Sequence, residues 1–215
     1  MHYKAVLFDM DGTVLDTLDD LTDSINHCLH EYGICEVSRD YVRQSLGNGA
    51  SYLVDRCAPS DLDQDLKGKL LVDYRLWYDA HCRIKTCPYP GILDLMHSLK
   101  DSGVKLVIIS NKPDSAVQEL SAHFFGELLE FSVGESERVR RKPYPDTVLA
   151  AAERMGLAPE SCVYIGDTEV DLETAKNAGM DCIAVTWGFR NEPQLLFSGA
   201  ETIAHSVSEL RDLLN

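Results

Sequence analysis

The stretch VLFDMDGTVLDT, residues 6–17, places Asp9 and Asp11 at the end of an apolar run, with only Met10 between them and Gly12 following. Short apolar runs with little alternation are typical of strands covered on both faces of a parallel sheet. Two neighbouring carboxylates repel each other, so their ionisation is costly unless a cation joins them. The stretch therefore predicts a buried strand with a charged site at its carboxyl end, although Asp-Gly taken alone would also fit a tight turn.

The same strand-like pattern recurs later in the chain, and helical patterns lie between most of the runs. Several of these helical patterns stop at a glycine, which is a common residue just after a helix. Strand, helix and strand at this spacing predict parallel βαβ units and an α/β doubly wound parallel sheet. The later strand-like runs are KLVIIS (105–110), FSVG (131–134), SCVYIG (161–166) and CIAVTWG (182–188).

The region from about residue 16 to residue 85 carries helical patterns and shows no strand pattern. An all-helical block after the first strand predicts a second, smaller domain inserted into the α/β core. We expect the core to comprise residues 1–15 and 86–215. The segment KTCPYPG, stiffened by Pro88 and Pro90, is predicted to be the linker that returns to the core.

Composition narrows the range of functions. The 215 residues include 20 Lys and Arg against 35 Asp and Glu, a net charge of -15. Such a field repels nucleic acid and anionic membrane surfaces, so we expect neither as a partner. A small anionic substrate would also be repelled, and would need a local cationic site with a metal.

Targeting and cysteine patterns indicate a cytoplasmic protein. No window approaches the ~18 apolar residues of a membrane span, and the start MHYKAVLF does not resemble a signal peptide. The seven cysteines include no C-x-x-C pair, so neither a disulfide framework nor a zinc site is indicated. We expect reduced cysteines that act as small apolar residues.

Polar side chains follow four of the predicted strands, at the sheet edge where ligands bind in open α/β folds. Taken singly, each group fits a turn, a helix cap or a solvated basic loop. Together they supply carboxylates, a hydroxyl and an ammonium, which are the groups needed to handle a phosphoryl group. These residues are Asp9, Asp11, Ser110, Asn111, Lys112, Lys142, Asp167 and Asp171.

The chemistry of phosphoryl transfer gives these groups distinct roles. Mg²⁺ suits a site built from oxygen ligands. Asp9 is then a candidate nucleophile that forms an aspartyl-phosphate. Asp11 could protonate the leaving oxygen and later activate water. Lys142 would offset charge on the transferring group, while Ser110 and backbone amides hold its oxygens.

Four motifs in this order resemble those of the haloacid dehalogenase superfamily, and they span nearly the whole chain. The resemblance implies a Rossmann-like core with the first strand at its centre, and a small α-helical cap formed by residues 16–85. It also implies that Asp9 and the Asp11 carbonyl bind Mg²⁺, and that Met10 and Asn111 contact substrate. Asp167 would be a further metal ligand, supported by Asp171. The motifs are DMDGT (9–13), VIISN (107–111), RKPYPD (141–146) and GDTEVDLETAKNAG (166–179).

Within that superfamily the chain looks most like the phosphoglycolate phosphatases, through LGNGA (46–50), PYPG (88–91), SNKP (110–113), AERMGLAPE (152–160) and VTWGF (185–189). The resemblance implies that a cap loop formed by Gly47, Asn48 and Gly49 faces the active site and reads the leaving group. It implies 2-phosphoglycolate as the leading substrate. The sequence does not single out one cationic partner for the glycolate carboxylate, and Arg43, Lys112 and Arg190 are all candidates.

Other functions stay open at this point. The same phosphorylated aspartate could serve a phosphomutase of the β-phosphoglucomutase type, a pyrophosphatase or a nucleotidase. A phospho-acceptor signalling module is the non-enzymatic alternative, since such modules also combine aspartate, Mg²⁺ and lysine on a doubly wound sheet. We expect a small phosphorylated metabolite as partner, and a monomer or small homo-oligomer.

Overall fold

The computed structural model describes residues 2–136 and 139–215. Its centre is a six-stranded parallel sheet in the order β5-β4-β1-β6-β7-β8, so the first strand lies inside the sheet. The α/β doubly wound fold predicted from the sequence is confirmed. The strands are β1 (Ala5–Phe8), β2 (Leu15–Asp16), β3 (Cys87–Pro88), β4 (Lys105–Pro113), β5 (Phe131–Glu135), β6 (Cys162–Gly166), β7 (Asp181–Val185) and β8 (Ile203–Ala204).

Ten α-helices accompany these strands in the described part of the chain. Four lie between β2 and β3, one lies between β3 and β4, and the other five follow strands of the main sheet. The helices are α1 (Leu18–Glu31), α2 (Arg39–Gln44), α3 (Gly49–Cys57), α4 (Gln64–His81), α5 (Ile92–Asp101), α6 (Asp114–Phe124), α7 (Asp146–Met155), α8 (Glu169–Ala178), α9 (Glu192–Phe197) and α10 (Val207–Leu214).

Strand β1 is buried on both faces, which explains its unbroken apolar sequence. Val6 and Phe8 belong to the larger hydrophobic core, which also contains side chains of α5, α6 and α10. Ala5 and Leu7 point to a second core, shared with α7 and α8. Because helices cover both faces, alternate residues of β1 enter different cores and none is left for solvent.

The segment that leads from the helical insert back to the main sheet forms a short strand, where the sequence predicted a linker. Leu15 and Asp16 pair antiparallel with Pro88 and Cys87, so β2 and β3 form a two-stranded ribbon that brackets α1–α4. The buried Asp20 carboxylate secures the same junction, because the Lys85 and Thr86 amides and the Thr86 hydroxyl donate to it at 2.8–2.9 Å. The sequence showed no strand pattern here because two residues are too few to establish a period.

The helical insert packs on the sheet edge where β1 and β4 end. We propose the division expected from the sequence, with a cap of residues 16–85 on a core of residues 1–15 and 86–215. Within residues 2–136 and 139–215, every helix is too short or too polar to cross a membrane. All seven cysteines are free thiols.

Candidate active site

A cavity of about 50 Å³ lies between the helical insert and the carboxyl ends of β1 and β4. It brings together five of the residues singled out in the sequence from the two strand ends, and two from the insert. The core contributes Asp9, Asp11, Ser110, Asn111 and Lys112, and the insert contributes Gly47 and Gly49 together with apolar and aromatic side chains.

Lys142 lies directly behind Asp9, although the two residues are 133 positions apart in the sequence. Its Nζ is 2.9 Å from Asp9 Oδ1 and 2.7 Å from Asp171 Oδ1, and it donates to the Tyr164 hydroxyl at 3.0 Å. Tyr164 in turn donates to the Ile109 carbonyl. Burial opposes the charged form of Lys142, but Asp171 and Asp9 raise its pKa well above the ordinary value, so the lysine stays an ammonium.

Three buried carboxylates meet at this point. Oxygen atoms of Asp9, Asp167 and Asp171 all lie within 4.8 Å of one another. Burial raises the pKa of Asp9 to about 7, against the opposing effect of Lys142. Burial, together with the charges of Asp171 and Asp9, raises the pKa of Asp167 well above its ordinary value. One ammonium is therefore insufficient to stabilise three ionised carboxylates.

Asp167 is held in place by two hydrogen-bond donors, and it could bind a cation together with Asp9 and Asp171. Its Oδ1 accepts from the Thr13 hydroxyl at 2.9 Å and its Oδ2 from the Phe189 amide at 2.7 Å. No lysine, arginine or histidine within the described ranges forms an ion pair with it. Gly12 and Gly188 leave the room for this carboxylate, because a Cβ on either would lie 2.3 Å from Oδ2. An oxygen-only donor set with excess negative charge fits Mg²⁺.

Asp171 holds a different position in the cluster. Its Oδ2 accepts from the Thr168 amide at 3.0 Å and from the Thr168 hydroxyl at 2.7 Å, and its Oδ1 accepts from Lys142. Both oxygens are therefore engaged by protein donors at the first turn of α8. This geometry suits a residue that supports the metal site from behind, as the sequence resemblance implies.

Asn111 connects three parts of the site. Its Oδ1 accepts from the Lys142 amide at 2.9 Å, and its Nδ2 donates to the Lys142 carbonyl at 3.1 Å. The same Nδ2 donates to the Gly47 carbonyl in the insert at 3.0 Å. Asn111 therefore holds the Lys142 loop and the insert loop against the end of β4, and it also lines the cavity.

The remaining substrate-contact candidates differ in their access to the cavity. Ser110 lines it and accepts from the Lys112 amide at 3.3 Å. Gly47 and Gly49 also line it, and a Cβ on Gly49 would lie 3.0 Å from the Asn111 carbonyl oxygen. Asn48 does not line the cavity and precedes the first turn of α3. The Met10 side chain is wholly buried in the hydrophobic core, which leaves its backbone for any contact with substrate.

Of the three candidate cations for a substrate carboxylate, Lys112 lines the cavity. Arg190 instead pairs with Glu169 at 2.7 Å and donates to the carbonyls of Leu46 and Arg43. Arg43 donates to the Phe189 carbonyl at 3.3 Å. The two arginines therefore join the insert to the loop after β7.

Tyr74 and Tyr78 of α4 are cavity residues that the sequence analysis did not single out. Both are buried, and both line the cavity. Their four-residue spacing places them on one helix face, as in an ordinary core. The signal that could have indicated a site is their chemistry, because a buried tyrosine hydroxyl needs a partner.

Comparison with known proteins agrees with this arrangement. The family model for haloacid dehalogenase-like hydrolases matches residues 6–185. Phosphoglycolate phosphatase 1 of Pseudomonas aeruginosa is 32% identical over 98% of this chain and 78% of its own length. N-acetylmuramic acid 6-phosphate phosphatase of the same organism is 30% identical over 100% of this chain and 96% of its own.

A solved structure shows the same similarity in three dimensions. The crystal structure of a candidate phosphoglycolate phosphatase from Lactobacillus delbrueckii subsp. bulgaricus superposes with a TM-score of 0.94. It is 38% identical and covers 100% of this chain and 99% of its own. The expectation of an enzyme of the phosphatase class is thereby confirmed. On the family model, the fold and the full-length relatives, this chain belongs to the haloacid dehalogenase-like hydrolase family.

Proposed function

We propose that this enzyme is a Mg²⁺-dependent phosphatase that hydrolyses a small phosphomonoester, with 2-phosphoglycolate as the leading substrate. The observation that carries the proposal is the position of Asp9. It lies at the floor of the cavity and also within a buried cluster of carboxylates and one ammonium. A nucleophile for phosphorus needs both access to the ester and compensation for the negative charge it meets.

The reaction would proceed in two balanced steps. In the first, an Asp9 oxygen forms a bond to phosphorus as the bond to the leaving oxygen breaks, and Asp11 donates a proton to that oxygen. In the second, Asp11 takes a proton from water as the water oxygen bonds to phosphorus and the bond from phosphorus to the Asp9 oxygen breaks, which releases inorganic phosphate and restores the Asp9 carboxylate. Lys142 stays charged throughout and stabilises negative charge next to Asp9. Ser110, which lines the cavity, would hold a phosphoryl oxygen.

The metal would be held by Asp9, the Asp11 carbonyl and Asp167, with Asp171 supporting them. When bound, Mg²⁺ would supply positive charge that lets ionised Asp9 and an anionic ester approach each other. The chain's own contribution is the fixed donor set, since Thr13 and the Phe189 amide orient Asp167. Thr168 and Lys142 orient Asp171 in the same way.

The cavity supports a small leaving group. The cavity is confined between the helical insert and the strand ends, so a leaving group much larger than a few atoms would require the insert to move. Relatives named as phosphoglycolate phosphatases agree with a two-carbon leaving group. The relative named as an N-acetylmuramic acid 6-phosphate phosphatase raises a second candidate, a sugar phosphate, which would require the insert to open further.

The direct test is a phosphate-release assay with Mg²⁺, comparing 2-phosphoglycolate, N-acetylmuramic acid 6-phosphate, hexose phosphates, nucleoside monophosphates and pyrophosphate. We expect the highest kcat/KM with 2-phosphoglycolate. Isomerised sugar phosphate without free phosphate would indicate a mutase. A phosphoprotein stable for minutes, without turnover of any ester, would indicate a signalling module.

Substitution of Asp9 tests the nucleophile. Asp9→Asn should abolish phosphate release while the fold is retained, whereas Asp212→Asn at an exposed position on α10 should keep full activity. Full activity in Asp9→Asn would contradict the assignment. Asp11→Asn should slow breakdown of the covalent intermediate in single-turnover measurements.

The cytoplasmic location, and the monomeric or small homo-oligomeric state, stay predictions from the sequence.

A further inference from the structure

The cavity contains a cation that the proposed hydrolysis does not use. Among its described lining residues, Lys112 is the sole lysine or arginine. Its side chain is 2% exposed, and its Nζ lies 2.7 and 3.0 Å from the two oxygens of Asp11. Leu21, Ala50 and Leu53 give the cavity apolar walls. An ammonium buried in such a place needs an anionic partner.

The present partner of Lys112 is the residue to which proton transfer is assigned. While both oxygens of Asp11 accept from Lys112, neither is free to protonate a leaving group. A carboxylate carried by the substrate has the same charge and the same acceptor geometry as Asp11. It could therefore replace Asp11 as the partner of Lys112, since an ammonium offers three donors that can be shared or exchanged.

Tyr78 supplies a second, independent observation at the same position. Lys112 Nζ lies 4.4 Å from the centre of the Tyr78 ring, so the ring's face helps to hold the ammonium. The Tyr78 hydroxyl is buried and has no hydrogen-bond partner among the described residues. Buried hydroxyls are normally paired, and an unpaired one next to a cavity is a donor that a ligand can satisfy.

We propose that Lys112 and Tyr78 form a subsite for a carboxylate on the leaving group, so that the preferred substrates are phosphomonoesters of small hydroxy acids. The subsite deepens the proposed phosphatase function and rests on it. Lys112 transfers its ion pair from Asp11 to the substrate carboxylate, and the Tyr78 hydroxyl donates to the same carboxylate. Binding of the correct leaving group thereby frees Asp11 to take up a proton from solvent, which it then donates to the leaving oxygen.

The test compares 2-phosphoglycolate with ethyl phosphate, which has the same two-carbon chain without the carboxylate. We expect wild-type kcat/KM to favour 2-phosphoglycolate by more than tenfold. Lys112→Met should reduce that preference by about 10- to 100-fold, and Tyr78→Phe by about fivefold, as expected for lost hydrogen bonds to a charged group. Lys112→Arg should restore part of the preference. Lys69→Met, at an exposed position on the same insert, should leave it unchanged.

A binding measurement separates the subsite from the hydrolysis. In an Asp9→Asn background, calorimetry should show tighter binding of 2-phosphoglycolate than of ethyl phosphate, and Lys112→Met should remove the difference. If binding depended on the carboxylate but the wild type released no phosphate, the proposed phosphatase function would be refuted. The carboxylate subsite would still be supported.

The opposite result would refute the subsite alone. Equal losses for both esters in Lys112→Met and in Tyr78→Phe, with hydrolysis by the wild type intact, would show that these residues serve the site without reading a carboxylate. Tyr78→Phe keeps the ring and the packing, so it remains informative even if Lys112→Met is poorly folded. Urea midpoints of all variants provide the check on folding.

Discussion

Replacement of Lys142 by methionine tests the electrostatic account of the site without any assumption about substrate. The Lys142 side chain is 3% exposed, and its Nζ forms ion pairs with Asp9 and Asp171 at 2.9 and 2.7 Å. Removing one partner of a buried ion pair costs about 3–5 kcal/mol, because the remaining charge is left uncompensated. We expect a loss of this size in the free energy of unfolding of Lys142→Met at pH 8, measured in urea with EDTA present.

The loss of unfolding free energy in Lys142→Met should depend on pH, and the pKa of Asp9 gives the direction. The pKa of Asp9 is raised from 3.8 to about 7, so between these values the folded protein binds a proton that the unfolded chain has released. The contribution of Asp9 to the stability of the metal-free wild type therefore falls as pH rises from about 4 to about 7. Without Lys142, which lowers the Asp9 pKa, that fall should continue to higher pH.

The comparison of two pH values gives the decisive result. At pH 5 Asp9 is protonated in both proteins, so the difference between them should shrink to about half of its value at pH 8 or less. The exposed Lys4 provides the control, and Lys4→Met should change stability by no more than about 0.5 kcal/mol. An equal loss at pH 5 and pH 8 would mean that Lys142 acts through packing, and would refute the reasoning from charge.

Three further predictions concern the metal, the backbone around it and the carboxylate that secures the ribbon of β2 and β3. Mg²⁺ at 100 times its Kd should stabilise the metal-free protein by about 2.7 kcal/mol, a rise in Tm of roughly 5–10 °C by calorimetry, and Asp167→Asn should abolish the rise. Gly12→Ala should lower the free energy of unfolding, measured in urea, by roughly 2 kcal/mol more than Gly103→Ala. Both glycines have φ near +80°, but only a Cβ at Gly12 would meet Asp167. Asp20→Ala should lower the free energy of unfolding by about 3 kcal/mol in the same assay, because three donors lose a buried carboxylate. The control is Asp19→Ala, which removes the exposed Asp19–Arg39 pair and should lower it by less than about 1 kcal/mol.

Local chemistry was sufficient to predict the sheet and the acidic ends of its strands. The run before Asp9 reads as a doubly covered strand, and polar residues directly after such a strand lie at the ligand-binding edge. Sequence order alone therefore indicated that Asp9, Ser110 and Asp167 would lie near one another. Short segments carried no such signal, and β8, α9 and α10 were not predicted because two to eight residues establish little periodicity.

The ion-pair partners within the site could not be predicted from the sequence. Charge and composition show that a lysine needs an acid, but many acids are available, with 35 Asp and Glu in the chain. The choice of Asp9 and Asp171 for Lys142, and of Asp11 for Lys112, depends on how the end of β4 and the segments after β1, β5 and β6 pack at the sheet edge. Tertiary packing sets the distances between these lysines and carboxylates. Periodicity along the chain carries no information about such packing.

The sequence by itself thus determined the fold class, the order of the motifs and the kind of chemistry, because these follow from residue type and spacing. Only the tertiary structure decided that Asp20 secures the ribbon of β2 and β3, and that Tyr78 faces a cavity rather than a closed core. The physical reason is the same in both cases. Burial and hydrogen bonding of a side chain depend on what packs against it, and the groups that pack here come from elements tens of residues apart.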